Sequence, residues 1–127
     1  MQDKVTFEYA IIRLVPKVER EEFFNVGVIL FSKRKKFLGI RYEINPIKLK
    51  AFSEELDLDA LNEYLKAWEL ICDGKPDGGR IGEFELSDRF RWLVASRSTI
   101  IQSSKTHPGL CDDPENVLEH IFNTCVL

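Results

Sequence analysis

The sequence predicts a single α+β domain, an antiparallel sheet of about four strands with helices packed mainly on one face. Runs of strand character come first and helical periodicities afterwards, an order that lays helices against an antiparallel sheet rather than alternating them with parallel strands. The second observation is the segment Phe24-Asn25-Val26-Gly27-Val28-Ile29-Leu30-Phe31, apolar on both alternating faces except at Asn25 and Gly27. Such a run needs cover on both sides, so it belongs at the centre of the sheet. Asn25 is expected to satisfy backbone at the start of this strand. Gly27, next but one and so on the same face, is expected to mark a bulge or a close approach by a neighbour.

The other elements follow in order. Residues 6–15 alternate through Phe7, Tyr9, Ile11 and Arg13 into a first strand, largely apolar on both faces, which Pro16 ends. A charged turn at Lys17 to Glu22 returns the chain antiparallel to it, and the basic tip Ser32-Lys33-Arg34-Lys35-Lys36 leads to a third strand at Phe37 to Glu43. Asn45-Pro46 pairs a capping side chain with a proline suited to the first helical position, predicting a short helix from Pro46 to about Phe52. Asp57 or Asp59 caps the next helix, where Leu58, Leu61, Leu65, Trp68 and Cys72 recur at spacings of three and four until Gly74 stops it. The stretch Asp73 to Gly79 is loop by composition. Ser87 opens a third helix running to about Ser96, Thr99 to Ser103 reads as a fourth strand, and Thr106-His107-Pro108-Gly109 as a turn. Asp113-Pro114-Glu115 caps a C-terminal helix with Leu118, Ile121, Phe122 and Cys125 facing inward.

At 127 residues, the chain is read as one domain spanning 1–127, large enough to bury a core without staples. A hydrophobic fraction of 44% beside 31% charged residues is that of a soluble globular protein and excludes a disordered or fibrous chain. The net charge of −3 gives no general attraction to nucleic acid or anionic membrane. Three cysteines without close spacing argue against a disulfide framework and for a reducing compartment. No apolar run approaches the ~20 residues of a membrane span, and charges interrupt the N-terminus where a signal peptide would be apolar. The expectation is a cytoplasmic protein.

Motif arithmetic removes several chemistries. His107 and His120 are far apart and the cysteines scattered, so no metal site or metal cofactor is expected. Gly78-Gly79-Arg80-Ile81-Gly82 follows a helix and a linker, not a strand, and lacks the lysine and hydroxyl of a phosphate loop. Among the thiols only Cys111, four positions after His107, stands as a candidate nucleophile, while Cys72 and Cys125 fall on apolar helix faces. Between Arg13 and Arg41, eight Lys or Arg stand against three Glu, but no exposed aromatic alternates with the basic tip, so a solvated hairpin explains it better than nucleic acid.

A convergence of polar residues is the candidate binding site. If the fourth strand pairs beside the first two, Arg97, Ser98, Gln102 and Ser103, with His107 beyond, join Arg13, Arg20, Glu22 and Asn25. Arginine forks suit a carboxylate or phosphate, with Glu22 orienting one of them. The competing reading is an internal ion-pair and hydrogen-bond network, with Arg97 paired to Glu22 or Asn25, that fixes strand order.

Tyr9, Arg13, Pro16, Arg20-Glu21-Glu22-Phe23, Asn25-Val26-Gly27-Val28, Arg89-Phe90-Arg91-Trp92-Leu93, Arg97-Ser98-Thr99, Gln102-Ser103 and Asp113-Pro114, in this order and spacing, resemble the bacterial family known as domain of unknown function 3037. The resemblance covers nearly the whole chain. It implies a small cytoplasmic protein without an assigned activity, of a kind encoded beside kinases resembling the HipA toxin family. Two functions are therefore carried forward: a non-catalytic interaction or regulatory module with a HipA-like kinase as partner, and a small enzyme or binding protein for a phosphorylated or nucleotide-like anion. A second copy of the chain is the other partner kept in view.

Overall fold

A computed structural model describes residues 4–74, 78–97 and 99–127. Three long strands form the expected meander: β1 (Val5–Leu14), β2 (Phe24–Ser32) and β3 (Phe37–Tyr42), with β2 between its neighbours. The far edge of β1 is shared by two short antiparallel strands. Here β5 (His107–Cys111) lies beside Val5 to Tyr9 and β4 (Ile101–Ser103) beside Ile12 to Leu14.

The turn expected at Thr106 to Gly109 is thus mostly strand. Pro108 is tolerated because this is an outer strand: Ile11 directs its N–H and C=O at this edge, meeting Ser104, so alternation leaves Glu8 and the opposed Pro108 in a non-hydrogen-bonded pair. Between β4 and β5 the break is bridged by Ser104, whose Oγ accepts from Ile11 N at 2.8 Å while its own N–H donates to Ile11 O at 2.8 Å. The fourth strand is also shorter than expected, since Thr99 and Ile100 lie before it.

Four helices cover the sheet: α1 (Pro46–Phe52), α2 (Leu58–Asp73), α3 (Leu86–Leu93) and α4 (Pro114–Cys125). Their starts obey the sequence signals. The Asn45 side chain accepts from Ile47 N and Lys48 N, Asp57 from Asp59 N, and Asp113 from Glu115 N. The exception is α3, which begins at Leu86 behind Glu85 rather than at Ser87 and ends at Leu93. Gly74, at φ +68, ends α2 in the left-handed region and returns its N–H to Leu70 O and Ile71 O. The loop expected after it falls partly on residues 75–77, outside the described residues. No described helix is long and apolar enough to cross a membrane.

The helices divide unequally between the faces. Leu49 of α1, Leu65 and Trp68 of α2, and Phe90 and Leu93 of α3 pack with Ile12, Leu14, Val26, Ile29 and Phe31 on one side. On the other, Leu118 and Phe122 of α4 meet Val5, Phe7, Val28 and Leu30. Helices α2 and α4, which the expectation of helices mainly on one face would set together, therefore lie on opposite faces, which is why β2 is apolar on both. Each fully buried side chain of this kind contributes about 1.5–3 kcal/mol. Cys125, expected inward, is exposed at the end of α4, where Val126 takes the buried place.

A bulge in β2 decides which polar residues share a face. Ile12 pairs with Gly27 but Arg13 pairs with Asn25, so Val26 is the extra residue. Asn25 and Gly27 consequently point to opposite faces, not to one. Gly27 sits where a Cβ would come 2.8 Å from Arg41 O, 3.0 Å from Tyr42 Cβ and 3.1 Å from Ile12 Cδ1, the close approach its place in the run foretold.

Candidate functional site

The end of the sheet where β1 finishes and β2 and β4 begin gathers part of the expected polar set. Arg13 is flanked across the sheet by Asn25 on β2 and Gln102 on β4. The bulge at Val26 is what aligns Arg13 with Asn25. Asn25 Nδ2 donates to Cys125 O at 3.1 Å, so this amide ties β2 to the C-terminus of α4. Gln102 Nε2 donates to Thr99 O at 2.7 Å, holding the turn before β4.

Arg13 is the least committed member. Its guanidinium lies over the Phe23 ring, 4.2 Å from the centroid, and its buried Nε makes no hydrogen bond among the described residues. Phe23 itself is 43% exposed, so the stacked pair reaches solvent. With Val15, Val18, Glu21, Arg97 and Gln102 these two residues line a cleft of about 270 Å³.

Arg97 borders this cleft in a different role from either one expected. Its Nη1 donates to Leu93 O at 2.8 Å and its Nη2 to Trp92 O at 2.5 Å, closing the C-terminus of α3. The same guanidinium lies 4.5 Å from the Trp92 centroid and 5.3 Å from that of Trp68. A cation on a helix C-terminus satisfies orphan carbonyls and opposes the negative end of the dipole. The proposed pairing of Arg97 with Glu22 or Asn25 does not form. Helix α3 ends at Leu93, too early to deliver Arg97 in strand geometry, and its last carbonyls take the guanidinium instead.

Glu22 pairs with Arg20 across a turn, at 2.5 Å. Both are more than half exposed, so the pair contributes little to stability. They belong to a second, separate cleft of about 460 Å³ between this turn and α1, lined also by Pro16, Lys17, Ala51 and Phe52. His107 stacks on Tyr9, its register partner, with centroids 5.2 Å apart. Four residues along β1 place Tyr9 roughly 13 Å from Arg13, so His107 stands outside the cleft. Ser103 Oγ donates to Ser104 O, and Ser98 lies outside the described residues. The expected cluster is therefore divided: Arg13, Arg97 and Gln102 share one cleft, Arg20 and Glu22 another.

Sequence reasoning missed Phe23 and the two tryptophans beneath Arg97, because aromatics read as core until their exposure is known. It also missed Arg89, whose Nη1 donates to both Ile71 O and Cys72 O at 2.9 Å and so closes α2 as Arg97 closes α3. The spacing of eight residues between these arginines, on either side of Trp92, was the available signal.

Thiol chemistry is placed by burial. Cys72 is buried and its thiol is pushed up to about 12, first by desolvation and then by Asp73. Cys111, the one candidate nucleophile, is buried too, and its pKa is raised by desolvation and by the neighbouring Asp112 and Asp113. Raised thiols hold little thiolate at neutral pH. Labelling with a disulfide reagent at pH 7.5 should modify Cys125 at least tenfold faster than Cys72 or Cys111 in the folded protein, with all three reacting in urea. Fast reaction of Cys111 without denaturant, read by peptide mass analysis, would contradict this. Among the described residues, no group of three His, Cys, Asp or Glu side chains is placed to hold a metal.

An antiparallel sheet between three helices and one, with a cleft at its end lined by Arg13, Arg97 and Glu21 among others, defines a small α+β protein. The chain belongs to the family described as protein of unknown function (DUF3037), whose model matches residues 9–126. The likeness noted in the motifs is thus membership. No curated protein and no solved structure matches the chain.

Proposed function

We propose that this protein is a non-catalytic interaction module of the bacterial cytoplasm, and that it takes an acidic group of a partner protein at the Arg13 cleft. The observation that carries the reading is the exposed Phe23 with the Arg13 guanidinium stacked on it, its Nε without a partner among the described residues. Rigid pairs of arginine and aromatic are the side chains that anchor protein interfaces, and Val18, 37% exposed, extends the apolar part of the surface. The stacking leaves the edge of the fork free for a carboxylate or phosphate. A HipA-like kinase is the proposed partner on the strength of the family resemblance.

The second reading is a binding protein or small enzyme for a phosphorylated or nucleotide-like ligand, favoured by two arginines on one cleft. Size weighs against a whole nucleotide. At about 270 Å³ the cleft is below the range of ~300–1,000 Å³ usual for small-molecule sites, and suits one anionic group better.

The test compares wild type with Arg13→Gln, titrating the purified kinase and, separately, phosphate, nucleotides and dicarboxylates. Arg13→Gln should weaken kinase binding at least tenfold while changing stability by under about 1 kcal/mol, since the residue makes no ion pair among the described residues. Equal affinity of the two proteins for the kinase would sink the interaction reading. Stabilisation of wild type by one anion class, lost in Arg13→Gln, with no kinase binding, would install the second reading in its place.

A further inference from the structure

We infer that the free edge of β3 is a self-association surface, on which a second copy of this chain pairs its own β3 antiparallel to form one continuous sheet. Among the described residues no strand lies beyond β3; its sequence Phe37-Leu38-Gly39-Ile40-Arg41-Tyr42 carries no proline, and its one charge, Arg41, is paired with Glu119 of α4 and laid over the Phe122 ring, away from the edge. The opposite edge of the sheet is blunted. There the strand is broken at Ser104 and Pro108 presents no N–H outward.

The hydrogen-bond alternation fixes the register. Glu43 N donates to Val26 O, so Glu43, Arg41, Gly39 and Phe37 direct their backbone groups at β2. Leu38, Ile40 and Tyr42 then direct theirs outward. Directly opposed residues in an antiparallel pair must both be hydrogen-bonded or both not, so a two-fold pairing that uses all three places Ile40 on the axis. Leu38 of one copy then lies opposite Tyr42 of the other, and Ile40 opposite Ile40. These three are among the partly buried side chains at the rim of the larger core, so the pairing extends that core across the junction. On the other face Gly39 stands opposite Arg41; the Phe37 ring and Leu118 of its own chain already fill the space above Gly39, and Arg41 is held by Glu119 of its own α4.

Charge favours a second copy over an arbitrary strand. The basic tip Lys33 to Lys36 adjoins the Phe37 end of β3, and the exposed Glu43 follows its other end. Antiparallel pairing brings each tip to the other copy's Glu43, on both sides of the axis.

The experiment is sedimentation equilibrium on the full chain, with hydrogen exchange at high and low concentration. Wild type should dimerise, and the amides of Leu38, Ile40 and Tyr42 should gain protection with concentration, while those of Gly39 and Arg41 are protected throughout. Ile40→Pro removes one outward N–H from each copy and none that faces β2, and should raise the dissociation constant at least tenfold. Because that change also trims the core, Glu43→Lys, at an exposed position, serves as the second variant and should do the same, with a melting temperature equal to wild type at dilutions where both are monomeric. A wild type that stays monomeric to millimolar concentration overturns the inference, as does a dimer indifferent to both variants. Protection of the three amides only when another protein is added would assign the edge to that protein instead.

Discussion

Gly27→Val should cost at least about 3 kcal/mol and lower the melting temperature by about 10 °C, among the largest effects of any single substitution outside the hydrophobic side chains. The first atom a new Cβ meets is Arg41 O at 2.8 Å, a backbone atom that cannot rotate away. Behind it are Tyr42 Cβ and Ile12 Cδ1, so β3 and β1 close on the position from both sides. Relief requires moving β3 off β2 or undoing the bulge at Val26. Undoing the bulge would shift Phe24 and Asn25 by one residue and exchange their faces, carrying an amide into the larger core. Urea unfolding of Gly27→Ala and Gly27→Val should therefore give a graded loss, the valine worse. Two variants as stable as wild type would mean that the sheet has slack here, and the role given to the bulge would fall with it.

That one glycine shows what the sequence could and could not say about the fold. Its presence in a run buried on both faces was legible as a bulge or a close approach, and it is both. The face assignment of its neighbour was not. A period of two assigns Asn25 and Gly27 to one side, and only the extra residue revealed by the pairing with Ile12 and Arg13 sends them apart. The helix starts at Asn45, Asp57 and Asp113 were legible because a cap is a local bond between a side chain and the backbone two residues on. The division of α2 and α4 between faces was less so, since it depends on where each connection crosses the sheet edge. His107 to Cys111 was misread as turn because proline and glycine are the same punctuation at an outer strand as in a loop.

The candidate site divides on the same line. Arg13, Asn25 and Gln102 meet because β4 pairs beside β1, which the chain order suggested. Arginines alone, however, do not reveal their partners: Arg89 and Arg97 face backbone carbonyls, Arg91 pairs with Glu8 on β1, and Arg41 with Glu119 on α4. Three of these arginines are thus occupied in joining helices to one another or to the sheet, and the fourth, Arg97, in closing α3. Arg13 differs in stacking on Phe23 with no carboxylate paired to it among the described residues, a distinction that needed the third dimension.

Arg97→Ala is expected to destabilise the protein by about 2 kcal/mol, making stability its main phenotype. The substitution removes two charge-assisted bonds to Leu93 O and Trp92 O, and leaves the last carbonyls of α3 without their cation. It also uncovers Trp92, already 39% exposed, and takes the guanidinium from over the ring of Trp68 in the core. Arg97→Lys should recover only part of the loss, because one ammonium replaces the charge but neither the planar stack nor the fork that spans two carbonyls. Arg13→Gln, by contrast, should melt near wild type and lose binding, so the pair of variants separates the two arginines that border one cleft. The discriminating measurement is a urea melt of all three beside the kinase and anion titrations. Should Arg97→Ala melt like wild type yet abolish binding, the guanidinium acts on the ligand and its contacts to α3 are incidental. Should Arg97→Lys match wild type in stability, charge at the helix terminus suffices and the stacking on Trp92 and Trp68 contributes nothing.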